Sequence, residues 1–395
     1  MDFDDTPEEA AFRASARAWL EANAVKKGSP EDFSAGHFSG EIDAAEYVKR
    51  CRWWQGQLHE AGWAGIAWPK AFGGRGGKSI EEAVFAEEQS KFGVSVGVFA
   101  VAHGMVAPTL MQHGTSEQQQ RWLDPMLRGD ELWCQLFSEP EAGSDLASIR
   151  TKAELDGDEW VVNGQKVWTS NGDVADWAIL IARSGTGDTK HEGITFFCVR
   201  MDTPGIDVRP LRQLNGEAHF SEVFLNDVRI PADQVVGEVG KGWKVAVTTL
   251  SNERVAIAGG SGMSDPERLR LLAQQLGVRD DPLFRQRFAT VHTRSEILRY
   301  LKMRTRTAMS RGERPGPEAS IMKLFYASFV KDLSDLAVTI QGPMGQVLHP
   351  DAAADGVFQQ KFFNAVQSSI GGGTDQIQRN IIGERVLGLP REPKA

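Results

Sequence analysis

From Thr6 to about Asp130, apolar residues recur at helical spacing. Thr6-Pro7-Glu8-Glu9 reads as an N-cap, a proline at the first helical position and two acids suited to the helix dipole, and apolar Phe12, Ala16, Trp19 and Leu20 follow. Residues 45–62, 79–92, 95–113 and 116–128 are further helical candidates, whereas residues 26–40, rich in Gly, Ser and Pro, read as a surface loop. The cluster Gly73-Gly74-Arg75-Gly76-Gly77 follows Trp68-Pro69 without a βαβ context, so it predicts a turn, not a dinucleotide loop. From Glu131 to about Val239 the texture changes to short apolar or alternating runs at 160–162, 177–182, 194–199, 206–210 and 221–225, separated by turn formers. After Gly240 the helical period returns through about Gly388. The order predicts an α+β chain: an N-terminal helical domain (1–130), a central β domain (131–240) and a C-terminal helical bundle (241–395).

Two segments of the β region carry candidate chemistry. Ser138-Glu139-Pro140-Glu141-Ala142-Gly143-Ser144-Asp145 packs turn formers and small hydroxyls into eight residues, a composition that lets the backbone approach a ligand with its amides free to donate. Beyond it, Trp160-Val161-Val162, Asn163-Gly164 and Val167-Trp168-Thr169 have the order strand, turn, strand, which predicts an Asn-Gly hairpin with Trp168 near a strand end. There an indole face is able to lie on a flat ring. A surface hairpin with a loop that binds nothing has the same composition.

The helix beginning near Lys241 places Trp243, Ala246, Val247, Leu250 and Ile257 on one stripe, with Arg254 inside it and Glu253 at its edge. A carboxylate at the rim of an apolar wall can serve as a base, its proton affinity raised by partial desolvation. A structural ion pair or an exposed edge residue fits the same pattern.

Composition narrows the alternatives. The chain has 395 residues, 41% hydrophobic and 25% charged, as in an ordinary globular protein with more than one domain. A net charge of −9 without a basic tract argues against a nucleic-acid surface. The acidic start Met1-Asp2-Phe3-Asp4-Asp5 does not have the layout of a signal peptide, and no apolar run approaches membrane-spanning length, so a cytoplasmic location is the default expectation. Cys51, Cys134 and Cys198 are too few and too scattered to predict a disulfide framework or a metal cluster.

The two β-region segments resemble the acyl-CoA dehydrogenase pattern, in which a T/S-E-P-x-A-G-S-D run and an N-G-x-K-x-W-I/T-T/S-N run line FAD. The resemblance continues, in the family's order, through residues 69–74, 203–206, 224–231 and 373–379. It implies that Phe137, Ser138, Trp168 and Ser170 contact the flavin. Ser144 would lie near the thioester or pantetheine, and Arg254 would stabilise the region of the base. Gln341 and Gly345 match a segment that reaches the FAD of a neighbouring subunit, and Thr374 and Gln376 match its dinucleotide end. The implied reaction is α,β-dehydrogenation of an acyl-CoA, in which a base takes the Cα proton while a hydride leaves Cβ for the flavin, giving a trans-2-enoyl-CoA. Electrons would pass on to an electron-transfer flavoprotein.

Two departures from the pattern sharpen these expectations. Many members carry the base in a Y-E-G-T loop, where this chain reads Gly371-Gly372-Gly373-Thr374. A minority have Glu before Arg on the helix after the β domain, and Asn252-Glu253-Arg254 matches them, so Glu253 is the expected base. The backbone N–H of Gly372 would remain as a donor to the enolate oxygen. The paired glycines imply a pocket for a bulky or branched acyl group, as in the steroid side-chain enzymes of actinobacteria. The R-x-x-F-G segment whose arginine grips the FAD pyrophosphate is also absent from 268–290. Either Arg279 or a neighbour replaces it in a homotetramer, or a homologous second subunit completes an α2β2 heterotetramer. A flavin oxidase or monooxygenase on the same fold, and a non-catalytic homologous subunit, are the competing functions.

Overall fold

The computed structural model describes residues 5–34, 36, 42–259, 266–310, 316–317, 319–348 and 351–391, except the side chains of 254–259, 306, 309–310 and 355. The helices are α1 (Pro7–Asn23), α2 (Ala44–Glu60), α3 (Ser79–Gln89), α4 (Ala107–His113), α5 (Ser116–Arg128), α6 (Gly242–Gly259), α7 (Pro266–Gln275), α8 (Pro282–Ser310), α9 (Ala319–Thr339), α10 (Val357–Gln367) and α11 (Asp375–Ile381). Between α5 and α6 lie β1 (Trp133–Leu136), β2 (Lys152–Asp156), β3 (Glu159–Ser170), β4 (Trp177–Arg183), β5 (Ile194–Arg200), β6 (Ile206–Leu211) and β7 (Phe220–Pro231). Helices, then strands, then helices follow the order read from the sequence. Internal contacts divide the chain into two compact units, one of Met1–Tyr47, Lys78–Ser95 and Arg254–Ala395, the other of Val48–Gly77 and Val96–Glu253.

In the first unit, α1 starts as the sequence predicts. Thr6 Oγ1 accepts from Glu9 N–H at 3.2 Å, Glu9 Oε2 accepts from Thr6 N–H at 2.8 Å, and Pro7 sits at the first position. Ala16 and Leu20 are fully buried, and Trp19 meets Phe85 of α3 with ring centroids 6.5 Å apart. Arg17, Lys91 and Arg13 converge on the buried Glu88, whose carboxyl they hold down at about 2, the Arg17 hydrogen bond being the largest contribution. The C-terminal helices of this unit share a core of Leu269, Leu272, Phe329, Leu333 and Phe358 among others.

In the second unit, the seven strands form one sheet. β4 pairs in parallel with β1 and antiparallel with β5, and touches β2 at Lys152↔Arg183; the path then runs antiparallel from β2 through β3 and β7 to β6. β4 and β5 are buried along almost their whole length, so their runs read as continuous apolar sequence. Gly73, at φ 80°, ends a short 3₁₀ turn, and a Cβ on Gly74 would lie 2.3 Å from Trp68 Cβ, so this glycine cluster is the turn the sequence predicts.

The Asn163-Gly164 hairpin does not form. Asn163 and Gly164 lie within the continuous strand β3, where Asn163 Oδ1 accepts from Asp227 N–H at 2.9 Å and its Nδ2 donates to Asp227 Oδ1 at 3.0 Å across to β7. Gly164 is required by close approach: a Cβ there would stand 2.4 Å from Thr151 Oγ1. The hairpin turn is instead at Gly157-Asp158, with Gly157 at φ 68° and Asp156 paired with Glu159.

Candidate active site

The 138–145 loop is fixed to β3 by a buried ion pair. Lys166, on β3, is fully buried and donates to Glu139 Oε1 at 2.8 Å and to Phe137 O at 3.1 Å. The Glu139 carboxylate also accepts from the backbone N–H groups of Arg150 and Thr151, at 2.6 and 2.9 Å. Burial pushes the Lys166 ammonium down from its ordinary value. Burial works to raise the Glu139 carboxyl, but the Lys166 charge and the Arg150 N–H outweigh it and hold the carboxyl below its usual range. Ser138 O accepts from Val167 N–H at 2.9 Å, and reciprocal bonds between Glu139 and Ala142 close the turn. The loop is therefore rigid while its tip stays open: Gly143, Ser144 and Asp145 are exposed.

That tie places Trp168. The β3–β7 register shifts between Lys166 and Thr169, and inside this bulge Trp168 has φ 63°. A bulky residue in the left-handed region costs roughly 1–3 kcal/mol and marks a functional constraint more often than an accident. Its indole is 61% exposed, edge-on to Phe220 at 6.1 Å, so a broad aromatic face is presented to solvent. Ser170 and Ser138 are half-buried, whereas Phe137 is in the core, edge-on to Phe196, with its carbonyl taken by Lys166.

Residues 371–374 of the other unit form a tight loop. Gly372 and Gly373 have φ 65° and 88°, and Gln378 Nε2 donates to Gly372 O at 2.8 Å and to Gly373 O at 3.2 Å. At such a φ, a glutamate at 372 would be strained whatever the space around it. Among the described residues nothing accepts the Gly372 N–H. A Cβ on Gly371 would make only ordinary contact, 3.6 Å from Gln367 Nε2. Thr374 caps α11, accepting from Ile377 N–H at 3.2 Å, and Gln376 is exposed. The amide of Gln341 is buried and committed, donating to Ala337 O at 2.9 Å and accepting from Gln359 at 3.0 Å. Gly345 leaves space for its neighbour, since a Cβ there would stand 2.3 Å from Val338 O. Arg279 is exposed in the turn between α7 and α8.

Glu253 is half-buried on α6. The side chain of Arg254 lies outside the described residues. Among the described residues no group of three or more His, Cys, Asp or Glu side chains could hold a metal, and no helix is long and apolar enough to cross a membrane.

Three models of acyl-CoA dehydrogenase domains match consecutive stretches of the chain: the N-terminal domain over residues 6–130, the middle domain over 134–228 and the C-terminal domain over 240–387. The chain belongs to the acyl-CoA dehydrogenase family. It is 39% identical over 387 residues to acyl-CoA dehydrogenase IpdE1 of Mycobacterium tuberculosis, covering 97% of this chain and 98% of that protein. Among solved structures, the Tcur3481-Tcur3483 steroid ACAD matches with a TM-score of 0.85 at 30% identity, covering 99% of this chain and all of that one. The ChsE4-ChsE5 complex from Mycobacterium tuberculosis matches at 0.81 and 29% identity, again over 99% and 100% of the two chains. The protein is an acyl-CoA dehydrogenase, a flavin-dependent oxidoreductase acting on CH–CH bonds.

The residues present suit the flavin that such an enzyme uses. An exposed indole held in a strained conformation beside a braced, open-tipped loop matches a flat conjugated ring. Reading the sequence did not single out Lys166 or Gln378. For Lys166 a signal exists: the period-2 alternation that buries Trp160 and Val162 puts residue 166 on the same inward face. Gln378 carries no such signal, because its partners are carbonyls of a loop.

Proposed function

We propose that this enzyme binds FAD and converts a bulky or branched, steroid side-chain-like acyl-CoA thioester to its trans-2-enoyl-CoA, with Glu253 as the base. The observation that carries the reading is the half-buried Glu253 carboxylate on α6; within the other unit, and independently, the loop geometry at Gly372 disfavours a side chain there. FAD, when bound, supplies the two-electron acceptor. Ser138, Trp168 and Ser170 hold it in this reading, and by family resemblance Phe137, Gln341, Gly345, Thr374 and Gln376 reach it as well. Ser144 and Arg254 serve the thioester end of the substrate.

The chain's own groups account for the proton chemistry. Glu253 takes the Cα proton, and the N–H of Gly372, which no described residue accepts, donates to the thioester oxygen as negative charge develops there. Gly371 and Gly372 add no side chains, which favours a large acyl group. The steroid ACAD named among the similar structures supports the same substrate class. That structure and the ChsE4-ChsE5 complex each name two proteins, which supports an α2β2 assembly with a homologous subunit over a homotetramer. An electron-transfer flavoprotein in the cytoplasm completes the proposal as electron acceptor.

Anaerobic bleaching of the flavin against a panel of acyl-CoA thioesters tests this reading, run with and without a homologous partner subunit. Branched or steroid side-chain thioesters are expected to exceed butyryl- and octanoyl-CoA in kcat/KM by about tenfold or more. The opposite preference overturns the substrate class. The role of Trp168 has its own test. Trp168→Gly removes the φ strain and loses little buried surface, so the stability of the cofactor-free protein should change by less than about 1 kcal/mol. Flavin affinity should fall about tenfold as the aromatic contact is lost. Fluorescence titration with FAD reads the second quantity, and unchanged affinity sinks the stacking role.

A further inference from the structure

The helix that carries Glu253 is held by buried hydroxyls that the reaction itself does not use. Thr109 on α4 and Thr249 on α6 are both fully buried, and their Oγ1 atoms lie 2.9 Å apart. Each hydroxyl has one hydrogen and also faces the carbonyl four residues back on its own helix. Thr109 Oγ1 is 2.7 Å from Met105 O, and Thr249 Oγ1 is 3.3 Å from Val245 O. The shorter contact takes the Thr109 proton, so Thr249 donates to Thr109 and Thr109 donates to Met105 O. Met105 lies in a π-helical turn, Ala102–Val106, where the α-ladder is interrupted.

Three further bonds hold α6 and its approach. His113 Nε2 lies 2.9 Å from Thr248 Oγ1. Gln118 of α5 donates to Asp233 O and to Val235 O, both at 2.7 Å, on the segment that leads into α6. All of these residues belong to the unit that ends at Glu253. Thr249 and Glu253 are four residues apart, so they share a helix face one turn apart.

We propose that Thr249 and Thr109 are positioning residues for the Glu253 carboxylate. Their hydroxyl chain fixes the rotation and register of α6 against the π-turn. The inference rests on the reading of Glu253 as base. A proton-transfer group has to sit within a narrow range of distance and angle, and a misplacement of about 1 Å can cost up to about a hundredfold. Replacing one hydroxyl by a methyl keeps the volume and breaks the bond between α4 and α6; the remaining threonine keeps only the carbonyl four residues before it, so this tie no longer holds α6 in register.

The experiment uses flavin-loaded enzyme carrying Thr249→Val, Thr109→Val, both together, Thr249→Ser or Glu253→Gln. It measures kcat and KM with the best thioester of the panel, flavin content, and hydrogen exchange of the amides at 250–253. Each valine variant is expected to lower kcat about five- to twentyfold with KM within twofold, and the double variant to match the singles. Amides 250–253 should exchange faster in both, and Thr249→Ser should restore kcat and protection. Full kcat in both valine variants, or a loss that Thr249→Ser does not restore, overturns the positioning role. The two readings fail differently: an active Glu253→Gln removes the base itself, whereas an inactive Glu253→Gln alongside fully active valine variants removes only the hydroxyl chain.

Discussion

Replacing Glu253 by Gln is expected to lower kcat on the preferred acyl-CoA by about 10²–10⁴-fold, the range over which a positioned general base contributes. The amide keeps the shape and removes the ability to accept the Cα proton. The α6 clamps, Thr249 to Thr109 and Thr248 to His113, are untouched, so α6 should keep its place and flavin content should stay close to that of the wild type. Because the proton is transferred only on the way to the transition state, kcat and kcat/KM should fall together. Stopped-flow bleaching of the flavin under anaerobic conditions measures the step directly. Bleaching at the wild-type rate would show that Glu253 is not the base.

The second large effect is on stability. Glu139→Ala should destabilise the protein by about 3–5 kcal/mol, the usual result of removing one member of a buried ion pair. The remaining Lys166 is fully buried with, among the described residues, only Phe137 O as a partner, and the Arg150 and Thr151 amides lose their acceptor. Glu139→Gln combined with Lys166→Met should be milder than Glu139→Ala, since no unpaired charge is left in the interior. Denaturant unfolding of the three proteins checks the order, and a Glu139→Ala protein as stable as the wild type would overturn it. The pair also sets a pH dependence. The Glu139 carboxyl is held below its unfolded value, so its contribution is present above the ordinary carboxylate range and is lost as pH falls through the folded value. Acid should therefore loosen the loop and β3 together.

Local signals were legible where they act on neighbours in the chain. Thr6, Pro7 and Glu9 begin α1 as their residue types dictate, because capping involves groups three residues apart. The texture of apolar runs separated the β region from the helices before and after it. The Asn163-Gly164 signal misled because each residue is used across the sheet: Asn163 for Asp227, 64 residues away, and Gly164 for the approach of Thr151. The bulge at Trp168 was equally invisible. Strict alternation from Trp160 and Val162 would turn Trp168 inward with Lys166. One register shift between Lys166 and Thr169 reverses the parity, burying Thr169 to 1% exposure and turning Trp168 out.

The sequence by itself determined the family, the order of helical and β segments, the loss of a glutamate at 372 and the presence of Glu253 one position before an arginine. These follow from residue identity and from spacings of a few residues. Only the tertiary structure decided that Lys166 is the internal partner of Glu139, that Trp168 presents its ring to solvent, and that Thr109 and Thr249 share a hydrogen bond. The physical reason is the same in each case. A polar group's burial and direction depend on partners 27 to 140 residues away, and local propensity carries no record of them.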